Sequence, residues 1–286
     1  MRITRDLELV DGRVVRVHDS GTGGAPGETP AETVLWHHGS PQTGALLDPL
    51  VEAAQARGIR VVSCARPSYG GSSPHPGRTV ASVADDVAQV ADALTIQRFA
   101  VMGSSGGGPH ALACAALLPG RVTAAVCFAS VAPRVDDLDW FAGMASDGAL
   151  RSALEGRAAR ARFAETEEFD PLSFTDTDWA ALDGTWSALG ADAGRAGEDG
   201  PDGLIDDDVA LAAPWGFDVG LIDVPVLLVQ GGQDRVVPPS HAHWLAEHCP
   251  TAELWTRPHD GHVSVLDTAA VALDWLTARD ELSRGR

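Results

Sequence analysis

Gly103-Ser104-Ser105-Gly106-Gly107 follows the apolar run Phe99-Ala100-Val101-Met102 and precedes Pro109 to Leu118, a small-residue segment with helical spacing. The five residues fit the pattern G-x-S-x-G with Ser105 at the centre. A chain that passes so sharply from strand to helix strains the central residue, and only small neighbours permit it. Pro109 suits the first turn of the predicted helix, where no backbone N–H is needed. The free N–H groups of that helix start point back at Ser105 and favour negative charge developing beside it. The stretch therefore reads as a strand, a tight turn and a helix that together present one serine hydroxyl.

The same rhythm extends in both directions. Apolar runs at Thr33–Trp36, Ile59–Ser63, Val122–Phe128, Val224–Val229 and Ala252–Trp255 predict strands. Helical spacing recurs at Leu46–Ala56, Val80–Leu94, His241–His248 and Val265–Leu276. Ahead of these, Leu7, Leu9 and Val14, Val15, Val17 flank Asp11-Gly12 and predict a hairpin, and Gly21–Pro30 reads as a loop. Strands alternating with helices predict an α/β protein with a mostly parallel eight-stranded sheet flanked by helices.

The rhythm breaks over residues 134–215, where the pattern is helical and acidic, and Gly190–Gly203 reads as flexible. This stretch holds 19 acidic and 6 basic residues and four of the eight tryptophans, Trp140, Trp179, Trp186 and Trp215. It reads as an inserted helical cap, leaving residues 1–133 and 216–286 as the core domain.

The formal charge of −19 repels nucleic acid and anionic membrane, so neither is an expected partner. No apolar run reaches the roughly 18 residues of a membrane span. The start lacks the apolar stretch of a signal peptide, so a cytoplasmic location is expected. All basic residues are arginine, which reads as codon bias. Cys64, Cys114, Cys127 and Cys249 form no CxxC pair and suit neither a disulfide framework nor a zinc site.

A serine needs a base to take its proton. His262, in Arg257-Pro258-His259-Asp260-Gly261-His262, lies between the last predicted strand and the last helix, at the sheet edge that Ser105 occupies. His259 shares that loop and is the rival. His110 suits packing or pocket lining, while His241, His243 and His248 read as surface or helix-face residues. The base needs a carboxylate to fix its tautomer. Asp234, in Gln230-Gly231-Gly232-Gln233-Asp234, ends a buried strand at the same edge. A tetrahedral intermediate also needs two donors for its oxyanion. The Gly106 N–H is one candidate, and the Ser40 N–H in His37-His38-Gly39-Ser40-Pro41 is the other.

From about Val14 to Leu276 the chain resembles the capped α/β-hydrolase fold family with a Ser-Asp-His triad. The resemblance rests on His38-Gly39-Ser40-Pro41, Arg66-Pro67-Ser68-Tyr69-Gly70-Gly71-Ser72, the turn at Ser105, Asp234 before Val237-Pro238, and Gly261-His262. It implies that Ser105, Asp234 and His262 act as triad in the chain order this fold uses. Ser105 separates the chain from the family's epoxide hydrolases and haloalkane dehalogenases, which use Asp. Ser40 and Gln42 separate it from the proline iminopeptidases, whose loop is longer and glycine-rich.

The expected activity is a serine hydrolase that cleaves a small, neutral ester or lactone through an acyl-enzyme, without metal or organic cofactor. Trp140, Phe141, Met144 and His38 are candidates to line the substrate pocket. The insertion's acidic residues are expected to coat the outer surface. The same triad would serve a C–C bond beside a ketone, an amide, or acyl transfer to another acceptor. A small-ligand-binding protein without catalysis is the reading from a different class. A monomer or homodimer suits any of these.

Overall fold

The computed structural model describes residues 2–21 and 32–284. The loop expected at Gly21–Pro30 lies, beyond Gly21, outside the described residues. Strands β1 (Ile3–Glu8) and β2 (Val14–Asp19) form the expected antiparallel hairpin around Asp11-Gly12. Then follow β3 (Glu32–His37), α1 (Asp48–Gln55), β4 (Ile59–Cys64), α2 (Val83–Ala93), β5 (Phe99–Ser104), α3 (Gly107–Leu117) and β6 (Val122–Phe128). After the insertion come β7 (Val226–Gly231), α9 (Pro239–His248), β8 (Ala252–Arg257) and α10 (Ala269–Arg284).

The strands form one sheet of eight, in the order β1-β2-β4-β3-β5-β6-β7-β8. Pairing is parallel from β4 to β8 across the sheet and antiparallel at β1–β2 and β2–β4. β5 lies near the middle, and all six of its residues are buried, as expected for a parallel strand covered on both faces. The side-chain alternation of β7 shows the two layers. Val226 and Leu228 join the core that holds α2, α3 and α9, while Leu227 and Val229 join the core that holds α1 and α10. Each large apolar side chain so buried contributes about 1.5–3 kcal/mol. Because β3, β5, β7 and β8 run parallel, the loops that follow them share one edge of the sheet.

Between β6 and β7 the chain forms α4 (Gly148–Leu154), α5 (Arg157–Ala164), a 3-10 turn (Pro171–Ser173), α6 (Asp176–Asp183), α7 (Ser187–Glu198) and α8 (Asp202–Ala212). The expectation of a flexible Gly190–Gly203 is corrected, since most of it is α7 and the start of α8. Helical glycine costs up to about 1 kcal/mol each, and α7 is anchored against that cost. Asp192 is buried and accepts from the Thr43 N–H at 2.9 Å and its hydroxyl at 2.6 Å, and Ala196 packs with Ala65 and Tyr69. Gly203 lets α8 lie against the Tyr69 ring, which a Cβ would meet at 2.7 Å.

Candidate active site

Ser105 follows β5 with φ of 53°, a left-handed conformation that costs a side-chain-bearing residue energy. Its own N–H donates to the Phe128 carbonyl at 2.8 Å, and Gly108 N–H donates to its carbonyl at 3.0 Å, so both flanks of the turn are tied. The glycines have a steric reason. A Cβ on Gly103 would strike the Gly107 carbonyl, one on Gly107 the His37 carbonyl, and one on Gly108 the Ser130 side chain. α3 is thereby pressed against β3, β5 and β6.

The loop after β3 meets this turn. A Cβ on Gly106 would lie 2.6 Å from Ser40 Oγ, so the two candidate oxyanion donors are neighbours. Gln42 Oε1 accepts the Gly39 N–H at 2.6 Å and so shapes the loop. Among the described residues, neither the Ser40 nor the Gly106 backbone N–H is spent on a protein acceptor.

His262 Nδ1 donates to Asp234 Oδ2 at 2.8 Å. The other carboxylate oxygen, Oδ1, accepts the N–H groups of Val236 at 2.8 Å and Val237 at 2.9 Å. Gly232 lets the loops after β7 and β8 approach, with Pro258 only 3.0 Å from where its Cβ would be. The rival His259 is exposed and makes no such bond. Burial alone would lower the His262 pKa, but the carboxylates of Asp234 and Asp178 outweigh it and raise the pKa. Ser105 and His262 are not hydrogen-bonded to each other, a looseness common before substrate binds.

The remaining candidates separate. His38 is buried, donates from Nδ1 to the Gly39 carbonyl at 2.7 Å and accepts the Arg66 N–H on Nε2 at 3.0 Å. With both nitrogens spent, its ring is fixed within the loop after β3. Trp140 is likewise buried and donates to the Ala132 carbonyl at 2.7 Å. Phe141 and Met144 stay half-buried, Phe141 edge-on to Trp140 and covered by the Arg151 guanidinium at 4.0 Å. His241, read as a surface or helix-face residue, lies on α9 with its side chain buried and bonded to the Ala132 N–H and the Trp140 carbonyl.

Buried carboxylates of the insertion escaped the sequence reading. Asp207 on α8 takes Arg66 Nη2 at 2.6 Å, Arg78 Nη2 at 2.5 Å, the Tyr69 hydroxyl at 3.1 Å, and the Ser40 hydroxyl. Burial would raise its pKa, but the two guanidiniums hold it well below the ordinary carboxylate range. Asp178 on α6 binds the loop that carries His262. No local pattern marks the Arg66–Asp207 contact, whereas Thr175-x-x-Asp178, a capping box, marks the start of α6.

Residues 32–269 match the family described as alpha/beta hydrolase fold. The chain is 31% identical over 271 residues to the dihydrolipoyllysine-residue acetyltransferase component of the acetoin cleaving system of Cupriavidus necator. That match covers 91% of this chain and only 64% of the relative's length. The chain is also 27% identical over 255 residues to the pimeloyl-acyl-carrier protein methyl ester esterase of Nitrosomonas europaea, covering 87% of this chain and 94% of the relative. Among solved structures, the enol-lactonase of Burkholderia xenovorans LB400 shares the fold, with a TM-score of 0.70 at 19% identity over 96% of this chain and 98% of that one.

Proposed function

The chain belongs to the alpha/beta hydrolase fold family, and on that premise we propose that it is a serine hydrolase cleaving a small, neutral ester or lactone through an acyl-enzyme. One observation carries the reading: an elbow serine lies beside two unspent backbone N–H groups, on the sheet edge that also bears a histidine–aspartate pair. The relative from Nitrosomonas europaea, an esterase by name, and the lactonase that shares the fold agree with the bond type.

In this mechanism Asp234 holds His262 with its proton on Nδ1, which leaves the Nε2 lone pair for Ser105. His262 takes the hydroxyl proton as Ser105 Oγ bonds to the carbonyl carbon. The Ser40 and Gly106 N–H groups hold the oxyanion. The imidazolium then protonates the departing alkoxide. Water repeats the cycle: His262 takes its proton, the hydroxide attacks the acyl carbon, and Ser105 Oγ leaves with that proton restored. Each turnover consumes one water and releases one acid and one alcohol, or one hydroxy acid from a lactone. The insertion over residues 134–215 acts as a cap that selects substrate, with Phe141 and Met144 as pocket candidates.

Turnover of an ester and lactone panel by wild type and Ser105→Ala tests the reading. Loss of at least about a thousandfold is expected, together with fluorophosphonate labelling of Ser105 in the wild type. Near-wild-type turnover by the alanine variant refutes it. Amides and β-diketones belong on the panel, because the same residues would serve those bonds.

A further inference from the structure

Asp178 stands outside the Ser105, Asp234 and His262 set, on a helix of the insertion, and is fully buried. One of its carboxylate oxygens, Oδ1, accepts the N–H groups of Val263 and Ser264, each at 2.8 Å, and the Ser264 hydroxyl at 2.9 Å. The other, Oδ2, accepts the His262 N–H at 3.2 Å, the Thr175 N–H at 2.9 Å and the Thr175 hydroxyl at 2.8 Å. Three consecutive N–H groups starting at His262 thus converge on one carboxylate from another part of the chain. Gly261 must lack a side chain, because its Cβ would fall on Asp178. Phe174, just before α6, stacks on the His262 ring at an interplanar angle of 11°. The insertion therefore grips the loop of this histidine by its backbone and by its ring.

We propose that Asp178 is a positioning residue for His262, so that docking of α6 sets the base in place. The inference rests on the serine-hydrolase reading for its consequence in catalysis and on hydrogen-bond geometry for the grip itself. Six donors on one buried carboxylate exceed what holding the end of a short helix requires, since the Thr175–Asp178 capping box already does that. The surplus bonds all go to residues 262–264. The charged groups that face His262 are Asp234, from the loop after β7, and Asp178, from α6. Removing the Asp178 charge weakens the support for the imidazolium, and removing its acceptors frees the loop. A misplaced base costs rate more than binding.

Asp178→Asn keeps the shape, removes the charge and turns one acceptor into a donor. On a p-nitrophenyl ester, kcat is expected to fall roughly ten- to a hundredfold with KM little changed. By NMR in a Ser105→Ala background, His262 is expected to titrate at lower pH once Asp178→Asn is added than with Asp178 intact. The proposal requires both changes, and the absence of either overturns it, including loss of thermal stability with kcat intact. If the Asp178→Asn variant does not fold, Thr175→Val conserves shape but removes the hydroxyl that bonds the Asp178 carboxylate, the Asp178 N–H and Thr177, and so loosens the docking of α6. A several-fold fall in kcat at unchanged KM is then expected, and unchanged kcat overturns the proposal. Turnover that survives Ser105→Ala would instead remove the serine-hydrolase reading, and the NMR titration alone would then decide the role of Asp178.

Discussion

His262 is half-buried, and that desolvation disfavours its charged form, yet Asp234 and Asp178 raise its pKa above the ordinary 6.5. A base acts only when neutral, so kcat/KM is expected to fall on the acid side with a midpoint above 6.5. Folding prefers the opposite form. A histidine whose pKa is raised in the folded state adds stability that is complete below its unfolded value. That stability is lost as pH rises through the folded value. The protein therefore gives up this contribution over the same window in which it gains activity. His262→Gln is expected to abolish turnover and to flatten the decline in Tm as pH rises above 6.5. An acid midpoint below 6.5, or a Tm slope indifferent to the substitution, would remove His262 from this role. The candidate residues were legible at this scale because their signals are local. Ser105 sits among its own glycines, and the loop after the last strand narrowed the base to His262 or His259, which the bond to Asp234 separates in the fold. The strain at Ser105 was legible from the tight turn, but the protonation of His262 was not, because it depends on Asp234 and Asp178, which approach only in the fold.

At the scale of elements, periodicity gave the order of strands and helices, because burial on one or two faces writes itself into neighbouring residues. The attachment of the insertion was different. Asp192 reaches Thr43 across 149 positions and Asp207 reaches Arg66 across 141, so no local pattern reports either. Acids that read as a surface coat are in part buried anchors: Asp178, Asp192 and Asp207 fix α6, α7 and α8 to loops at the site's edge of the sheet. Asp207→Ala would leave Arg66 and Arg78 buried without a counter-charge. The expected cost is about 3–5 kcal/mol, read from urea unfolding, with lower kcat because the Ser40 hydroxyl loses its acceptor. Asp206→Ala on the same helix faces the half-exposed Arg157 and should cost far less. Equal losses from the two substitutions would mean that α8 gains nothing special from the Asp207 clamp.

Over the whole molecule the charge of −19 is unevenly placed, with 19 acidic against 6 basic residues in 134–215. Among the insertion's buried acids, Asp207 meets Arg66 and Arg78, Asp208 meets Arg160 and Asp192 meets Arg195, whereas Asp178 is held by neutral donors. Most of the other acids of the insertion are exposed, and under the proposed cap role a substrate passes them. Such a field slows the approach of an anion and leaves a neutral molecule untouched. Its reach is set by salt, with a Debye length of about 30 Å at 0.01 M and about 8 Å at 0.15 M. A neutral aryl butyrate and an aryl hemisuccinate carry the same leaving group but differ by one charge. Raising salt between those limits is expected to increase kcat/KM for the hemisuccinate several-fold while leaving the butyrate nearly unchanged. The change should appear in kcat/KM and not in kcat, because it acts on encounter. A parallel response of both esters would place the acidic field away from the path to Ser105. A hemisuccinate that is favoured at low salt would mean that a cationic group inside the pocket overrides the surface.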